Sequence, residues 1–140
     1  MFVGTFEHSL DDKGRVVLPT AFRTRLAEGG YLGLGERCLS LWTPEEFSSF
    51  VERLREKVRT SEADHNALRV VMAYASDARP DSQGRITIPG RLREYAALDG
   101  EVVINGTFDR IEIWNPDRWR EVSEQGDREL SEAVRSLGIF

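Results

Sequence analysis

The sequence predicts an α+β fold made of two copies of one small β-rich unit, each followed by helix. The first observation is an internal repeat, because DDKGRVVLP at 11–19 returns as DSQGRITIP at 81–89, an offset of 70. LWTP at 41–44 returns as IWNP at 113–116, an offset of 72. The second observation is that each copy contains short β-branched runs that end at a proline, which are typical of strands. The third is a helix-start signal after each copy.

Composition limits the class of protein. The 140 residues carry 19 Lys and Arg against 24 Asp and Glu, a net charge of −5, and 40% are hydrophobic, enough for a core. No run approaches the ~18 apolar residues of a membrane span, and the N-terminus lacks a basic leader with an apolar segment. We therefore expect neither secretion nor membrane insertion. The single cysteine, Cys38, excludes an intrachain disulfide and is predicted to be buried, which fits a reducing cytoplasm.

The sequence of each copy predicts, in order, a strand, a tight turn, a second strand, a short helix and two further strands. Gly14 and Gly84 are expected to take positive φ in three-residue hairpin turns. The strands are predicted at 2–8, 14–18, 31–34 and 39–42, and at 71–77, 84–88, 101–105 and 110–114. Residues 71–77 have a helical alternative, because apolar side chains from Leu68 to Ala75 also have helical spacing.

Helix signals complete the outline. Thr20 is predicted to cap a short helix, and TPEE at 43–46 forms a capping box with proline at the first helical position. In the last helix, Gly126 is expected to cause a break and Gly138 to mark the end. A unit below ~50 residues seldom buries its own core, so the second copy is the natural partner of the first. The predicted division is 5–47 (unit 1), 48–76 (connecting helices), 77–120 (unit 2) and 121–140 (helical tail).

Positive charge is concentrated in the repeated element. Residues 11–25 have four basic and two acidic side chains, and residues 79–93 have four basic and one acidic, which leaves −10 for the other 110 residues. A basic stripe repeated on an acidic protein suits a regular polyanion. The candidate DNA-contacting residues are Lys13, Arg15, Arg23, Arg25, Arg85, Arg91 and Arg93.

The Asp-x-x-Gly-Arg spacing has a physical interpretation. The glycine tightens the turn, and the aspartate can accept backbone N–H bonds or pair with the arginine and fix its direction. A guanidinium held in this way can contact phosphates or guanine in the major groove, which admits a two-stranded ribbon. An ordinary hairpin with a surface ion pair worth ~0–1 kcal/mol is the alternative, and the second copy weighs against it. The predicted orienting residues are Asp11, Gly14, Asp81 and Gly84.

These motifs carry a family resemblance. DDKGR at 11–15 and DSQGR at 81–85 resemble the DxxxR signature that MraZ proteins contain twice. The opening FVGTFEHSL, the Leu-Pro and Ile-Pro junctions, WTPEEF at 42–47 and the later Ile-Trp pair are also similar to that family. The resemblance covers roughly residues 1–120.

The resemblance implies two tandem swapped-hairpin β-barrel units of the SpoVT/AbrB type, forming an intrachain pseudo-dimer with flanking helices. It implies a ring-shaped homo-oligomer, cytoplasmic and nucleoid-associated, that binds short direct repeats in promoter DNA upstream of the division and cell-wall gene cluster. Such proteins act mainly as repressors, their own gene included, without a cofactor, a membrane or a small-molecule substrate. Lys13 is matched by Gln83, so the first turn is expected to contribute more to binding.

Other classes of function are less well supported. Asp11, Asp12 and Asp81 could serve as catalytic carboxylates, but neighbouring arginines would lower the pKa that a general acid needs raised. His8 and His65 lie far apart in sequence and no metal-binding motif accompanies them. An AbrB-type antitoxin and an oligomeric interaction module that does not bind DNA remain the alternatives to a regulator.

Overall fold

The structure is a computed structural model that describes residues 1–140 and has an α+β architecture, as the sequence predicts. The eight strands are β1 (Thr5–Ser9), β2 (Arg15–Val17), β3 (Gly30–Leu34), β4 (Leu39–Trp42), β5 (Ser76–Ala78), β6 (Arg85–Thr87), β7 (Glu101–Gly106) and β8 (Ile111–Trp114). The five helices are α1 (Thr20–Arg23), α2 (Pro44–Arg59), α3 (His65–Tyr74), α4 (Gly90–Ala96) and α5 (Pro116–Leu137). A 3₁₀ turn, Thr24–Leu26, extends α1. None of the helices has both the length and the apolar character needed to cross a membrane.

The strands of the two copies are interleaved. Six of them form one antiparallel sheet in the order β1-β7-β8-β4-β3-β5, and β2 pairs with β6 in a separate two-stranded ribbon. The strands before and after each predicted turn therefore pair with the other copy rather than with each other, which differs from two local hairpins. The sheet is open at β1 and β5, so the expected closed barrels are not confirmed.

The strand register obeys an approximate two-fold symmetry. In the ribbon, Arg15 lies opposite Thr87 and Val17 lies opposite Arg85, and these two pairs exchange under the offset of 70. In the sheet, β4 and β8 meet with Ser40 opposite Glu112 at the symmetric centre. The two copies are thus related as the halves of a dimer within one chain.

A single core lies between the ribbon, the inner face of the sheet and the short helices. Val16 and Ile86 of the ribbon belong to the same cluster of 18 buried hydrophobic residues as Phe22 and Leu92 of α1 and α4. Residues from both copies contribute throughout, so neither copy has a core of its own. This agrees with the argument that a unit of this size needs a partner.

Two helices cover parts of the outer face of the sheet. The Phe50 ring of α2 stacks on Trp42 with centroids 4.8 Å apart, and Trp119 of α5 contacts Trp114 at 5.7 Å. Cys38 lies beneath α5 with no exposed surface, as predicted. Burial, followed by the nearby Glu112 carboxylate, raises the pKa of the Cys38 thiol far above its ordinary value.

Three local predictions need correction or completion. Gly126 does not break α5, because the helix runs unbroken from Pro116 to Leu137. Thr20 is the first residue of α1 rather than its cap, and its hydroxyl accepts a hydrogen bond from Arg23 instead. For residues 71–77 the helical alternative holds as far as Tyr74, after which β5 begins.

Candidate nucleic-acid interface

Each DxxxR turn is held by one aspartate. In the first turn, Asp11 Oδ1 accepts the backbone N–H groups of Lys13 and Arg15, both at 2.9 Å. Asp11 Oδ2 accepts the Nε–H of Arg15 at 2.7 Å. Gly14 closes the turn with φ of +73°, a left-handed conformation that favours glycine. One carboxylate therefore fixes both the backbone of the turn and the direction of the arginine.

The second turn repeats this arrangement. Asp81 Oδ1 accepts the backbone N–H groups of Gln83 and Arg85 at 2.9 Å, and Oδ2 accepts Arg85 Nε–H at 2.8 Å. Gly84 has φ of +78°. Both predicted functions of the aspartate, accepting turn N–H groups and pairing with the arginine, are present in both copies.

The aspartates are stabilised in their charged form. Hydrogen bonds to the backbone N–H and guanidinium of Arg15 lower the pKa of Asp11, and Arg85 has the same effect on the pKa of Asp81. Both carboxylates thus stay ionised where the arginines need a partner. A general acid needs the reverse shift of pKa, so these carboxylates are poorly suited to that chemistry.

The ribbon places both motif arginines on one side of the molecule. Val16 and Ile86 point into the core, and strand alternation turns Arg15, Val17, Arg85 and Thr87 to the opposite face. On such a face, diagonal neighbours in paired strands lie roughly 7–8 Å apart. We call the surface formed by Arg15, Val17, Arg85 and Thr87 the ribbon face. Two guanidinium groups on one face share a line of approach for a large anion.

Each short helix contacts the turn of the other copy. Arg23 of α1 donates from Nη1 to the carbonyl of Gln83 at 3.2 Å, and a Cβ atom on Gly84 would overlap its guanidinium. Arg93 of α4 lies against Gly14, where a Cβ atom would be 2.6 Å from its Nη1. Each copy therefore supports the turn of the other copy.

Backbone hydrogen bonds also join the end of each ribbon strand to the turn of the other copy. Leu18 N–H donates to Gly84 O and Ile88 N–H donates to Gly14 O, both at 2.9 Å. Each turn is thus held by its own aspartate and by the other copy's strand end, and the other copy's helix arginine packs against it.

Two predicted contact residues make their contacts away from the ribbon. The Arg25 guanidinium lies 4.1 Å from the centroid of the Phe2 ring. Arg91 donates to the carbonyl of Ala73 and lies over the Tyr74 ring at 4.7 Å. Lys13 is exposed at the tip of the first turn, where the second has Gln83. The structure therefore brings five of the seven basic candidates to the ribbon and its turns.

The ribbon face also contains residues that sequence analysis did not select. Val17 is 38% exposed although it is aliphatic, and Thr87 is exposed beside it. Period-two alternation from the buried Val16 and Ile86 would have identified both. They were missed because neither is charged.

The chain contains no grouping of three or more His, Cys, Asp or Glu side chains of the kind that holds a metal ion.

Comparison with known proteins gives the class and then the family. The model of the family described as "MraZ protein, putative antitoxin-like" matches twice, over residues 1–70 and 71–137. A Kocuria rhizophila protein is 44% identical over 143 residues, with 100% of both chains covered. A Salinispora tropica protein is 44% identical with 94% of each chain covered, and a Nocardioides protein is 46% identical with 94% of this chain and 92% of its own covered. Each of the three is named a transcriptional regulator MraZ.

The class is therefore that of transcriptional regulators rather than an enzyme family, which confirms the family resemblance seen in the sequence. The chain belongs to the MraZ family.

Proposed function

We propose that the protein is a transcription regulator that binds double-stranded DNA in a sequence-specific way, with the ribbon face and its two turns as the contact surface. The observation that carries the proposal is that Arg15 and Arg85 lie on the same face of the ribbon, partly exposed, each with its Nε anchored to an aspartate. Anchoring at Nε leaves the two terminal nitrogens of each guanidinium to donate outward. A two-stranded ribbon fits the major groove, where arginine contacts guanine or phosphate.

Charge distribution supports the same conclusion. The two basic segments belong to a protein of net charge −5, so attraction to DNA would be confined to this region. Val17 and Thr87, between the arginines, could contact thymine methyl groups. Arg25 and Arg91 stay in the proposal as secondary contacts at the edge of the surface.

The finer expectations from the family resemblance form part of the proposal. The sites are short direct repeats in the promoter of the division and cell-wall gene cluster, and the protein acts there mainly as a repressor. A ring-shaped homo-oligomer in the nucleoid would place neighbouring ribbon faces on successive repeats, and this multivalency would raise the affinity. We assign swapped-hairpin units of the SpoVT/AbrB type to residues 5–47 and 77–120, joined by 48–76 and followed by the 121–140 tail.

The test is binding of labelled duplex DNA by fluorescence anisotropy over a range of salt concentrations, after selection of bound sequences from a random pool. The wild-type protein should enrich a short repeated box. Arg15→Ala and Arg85→Ala should each weaken binding by ~1–3 kcal/mol, or roughly 5- to 150-fold. The matched control is Arg55→Ala, which removes an exposed arginine paired with Glu52 on α2.

The control variant should bind the enriched box like the wild type. If Arg15→Ala, Arg85→Ala and Arg55→Ala all bind equally well while remaining folded, the ribbon face is not the DNA surface.

A further inference from the structure

The two repeats use equivalent arginines differently. Arg23 is bound to the protein through both terminal nitrogens, because Nη2 donates to Thr20 Oγ1 at 2.9 Å and Nη1 donates to the carbonyl of Gln83. Arg93 forms no side-chain hydrogen bond and no ion pair, and its Nε is buried without an acceptor. The sequence accounts for one of the two missing bonds, since the position equivalent to Thr20 is Gly90, which has no hydroxyl oxygen to accept a hydrogen bond.

The free guanidinium lies at the first turn rather than in its own repeat. Arg93 packs on Gly14, the residue next to the exposed Lys13. Neither Lys13 nor Arg93 pairs with Asp12, the exposed carboxylate of this turn. The first turn therefore has two cations without partners, whereas the second has the neutral Gln83 and an arginine already bound to protein oxygens.

We propose that Lys13 and Arg93 together form a phosphate-binding site at the first turn, built from both repeats, and that Arg23 is a positioning residue for the second turn. The proposal rests on the DNA-binding function proposed above and identifies where a backbone phosphate of the duplex binds. Its chemistry is that of a lysine ammonium and the terminal N–H groups of an arginine, which donate to phosphate oxygens. The second turn lacks an equivalent site.

The structure offers a sharp perturbation at Gly90. A Cβ atom there would lie 3.4 Å from Arg93 Nη2, in contact but without overlap, so the position accepts a Cβ atom beside the guanidinium. In Gly90→Thr, the new hydroxyl should therefore accept a hydrogen bond from Arg93, as the Thr20 hydroxyl accepts one from Arg23. Gly90→Ala is the matched control, because it adds the Cβ atom without the hydroxyl.

The measurement is the affinity for a duplex of fixed sequence at several salt concentrations. Arg93→Ala should weaken binding about tenfold and reduce the salt slope by about 1, the loss of one phosphate contact. Gly90→Thr should shift affinity and slope in the same direction, and Gly90→Ala should bind like the wild type. Once Arg93 is replaced by alanine, Gly90→Thr should have no further effect.

Arg23→Ala should behave differently. It should leave the salt slope unchanged, while the amide hydrogens of the second turn, around Gln83 and Gly84, exchange faster than those of the first. The urea midpoint of each variant establishes that it is folded at the temperature of the binding assay.

The outcomes separate the two proposals. If the wild-type protein does not bind duplex DNA, the proposed function fails. If the wild type binds but Arg93→Ala keeps the full salt slope, or Gly90→Thr binds like Gly90→Ala, the composite phosphate site is wrong although the function stands. If Arg23→Ala lowers the slope as Arg93→Ala does, the two arginines are equivalent and the asymmetry is overturned.

Discussion

Replacing Gly84 by alanine measures how firmly Arg23 is packed on the second turn. Gly84 has φ of +78°, and Gly100 has nearly the same φ of +79°. Alanine in this left-handed region costs ~1–2 kcal/mol at either site. At Gly100 a Cβ atom would meet no atom within 4 Å, whereas at Gly84 it would overlap the Arg23 guanidinium. The two variants thus share the backbone cost and differ in the fate of Arg23.

The difference can be worked from the contacts of Arg23. Displacing it breaks the hydrogen bonds to Gln83 O and Thr20 Oγ1, which are exposed and therefore contribute ~0.5–1 kcal/mol each. Gly84→Ala should accordingly cost ~1–2 kcal/mol more than Gly100→Ala. Urea unfolding followed by tryptophan fluorescence measures both, with the slope m expected to stay constant.

A double-mutant cycle identifies the source of the extra cost. In an Arg23→Ala background, Gly84→Ala and Gly100→Ala should become equally destabilising, because no guanidinium remains to be displaced. Equal free energies of unfolding already in the wild-type background would refute the reasoning.

Three further predictions concern the core and the turns. Ile86→Ala should destabilise the protein by ~2–5 kcal/mol in urea unfolding because Ile86 is buried on the inner side of the ribbon, whereas Val17→Ala on the exposed side should cost under ~1 kcal/mol. Cys38 should resist a thiol reagent at pH 8 until urea unfolds the protein, because burial raises its pKa, and rapid labelling of the folded state would contradict this. Lowered pKa values of Asp11 and Asp81 add stability that is complete above pH ~4 and is lost as the pH falls through their lower folded-state values. The urea midpoint should therefore drop as the pH falls below ~4, and Asp81→Asn should reduce that drop.

Much of the local structure could be predicted because local chemistry decides it. Thr43 caps α2 by accepting the Glu46 N–H at 3.3 Å, as the capping box predicts. Gly14 and Gly84 take positive φ because the Asp-x-x-Gly-Arg turn requires it. The contacts of Asp11 within its turn follow from spacing alone, since every partner lies within four residues.

What the local sequence patterns could not show depends on residues about 70 positions apart. The pairing of β2 with β6 leaves no local pattern, because both hairpins and exchanged ribbons need the same turn and the same alternation. The contact between Arg93 and Gly14 also joins distant residues, so no local sequence pattern predicts it. Gly126 was misjudged because a glycine costs a helix only ~1 kcal/mol, which the rest of the 22-residue α5 tolerates.

The fusion of both halves into one chain has a consequence for how a target could be oriented. In a dimer of identical chains, every residue on one side of the axis has a twin on the other, and the natural target is a palindrome. Here Lys13 faces Gln83 and Thr20 faces Gly90 across that axis, so the two ends of the binding surface are chemically unlike. A binding surface with two different ends can distinguish one direction along the double helix from the other.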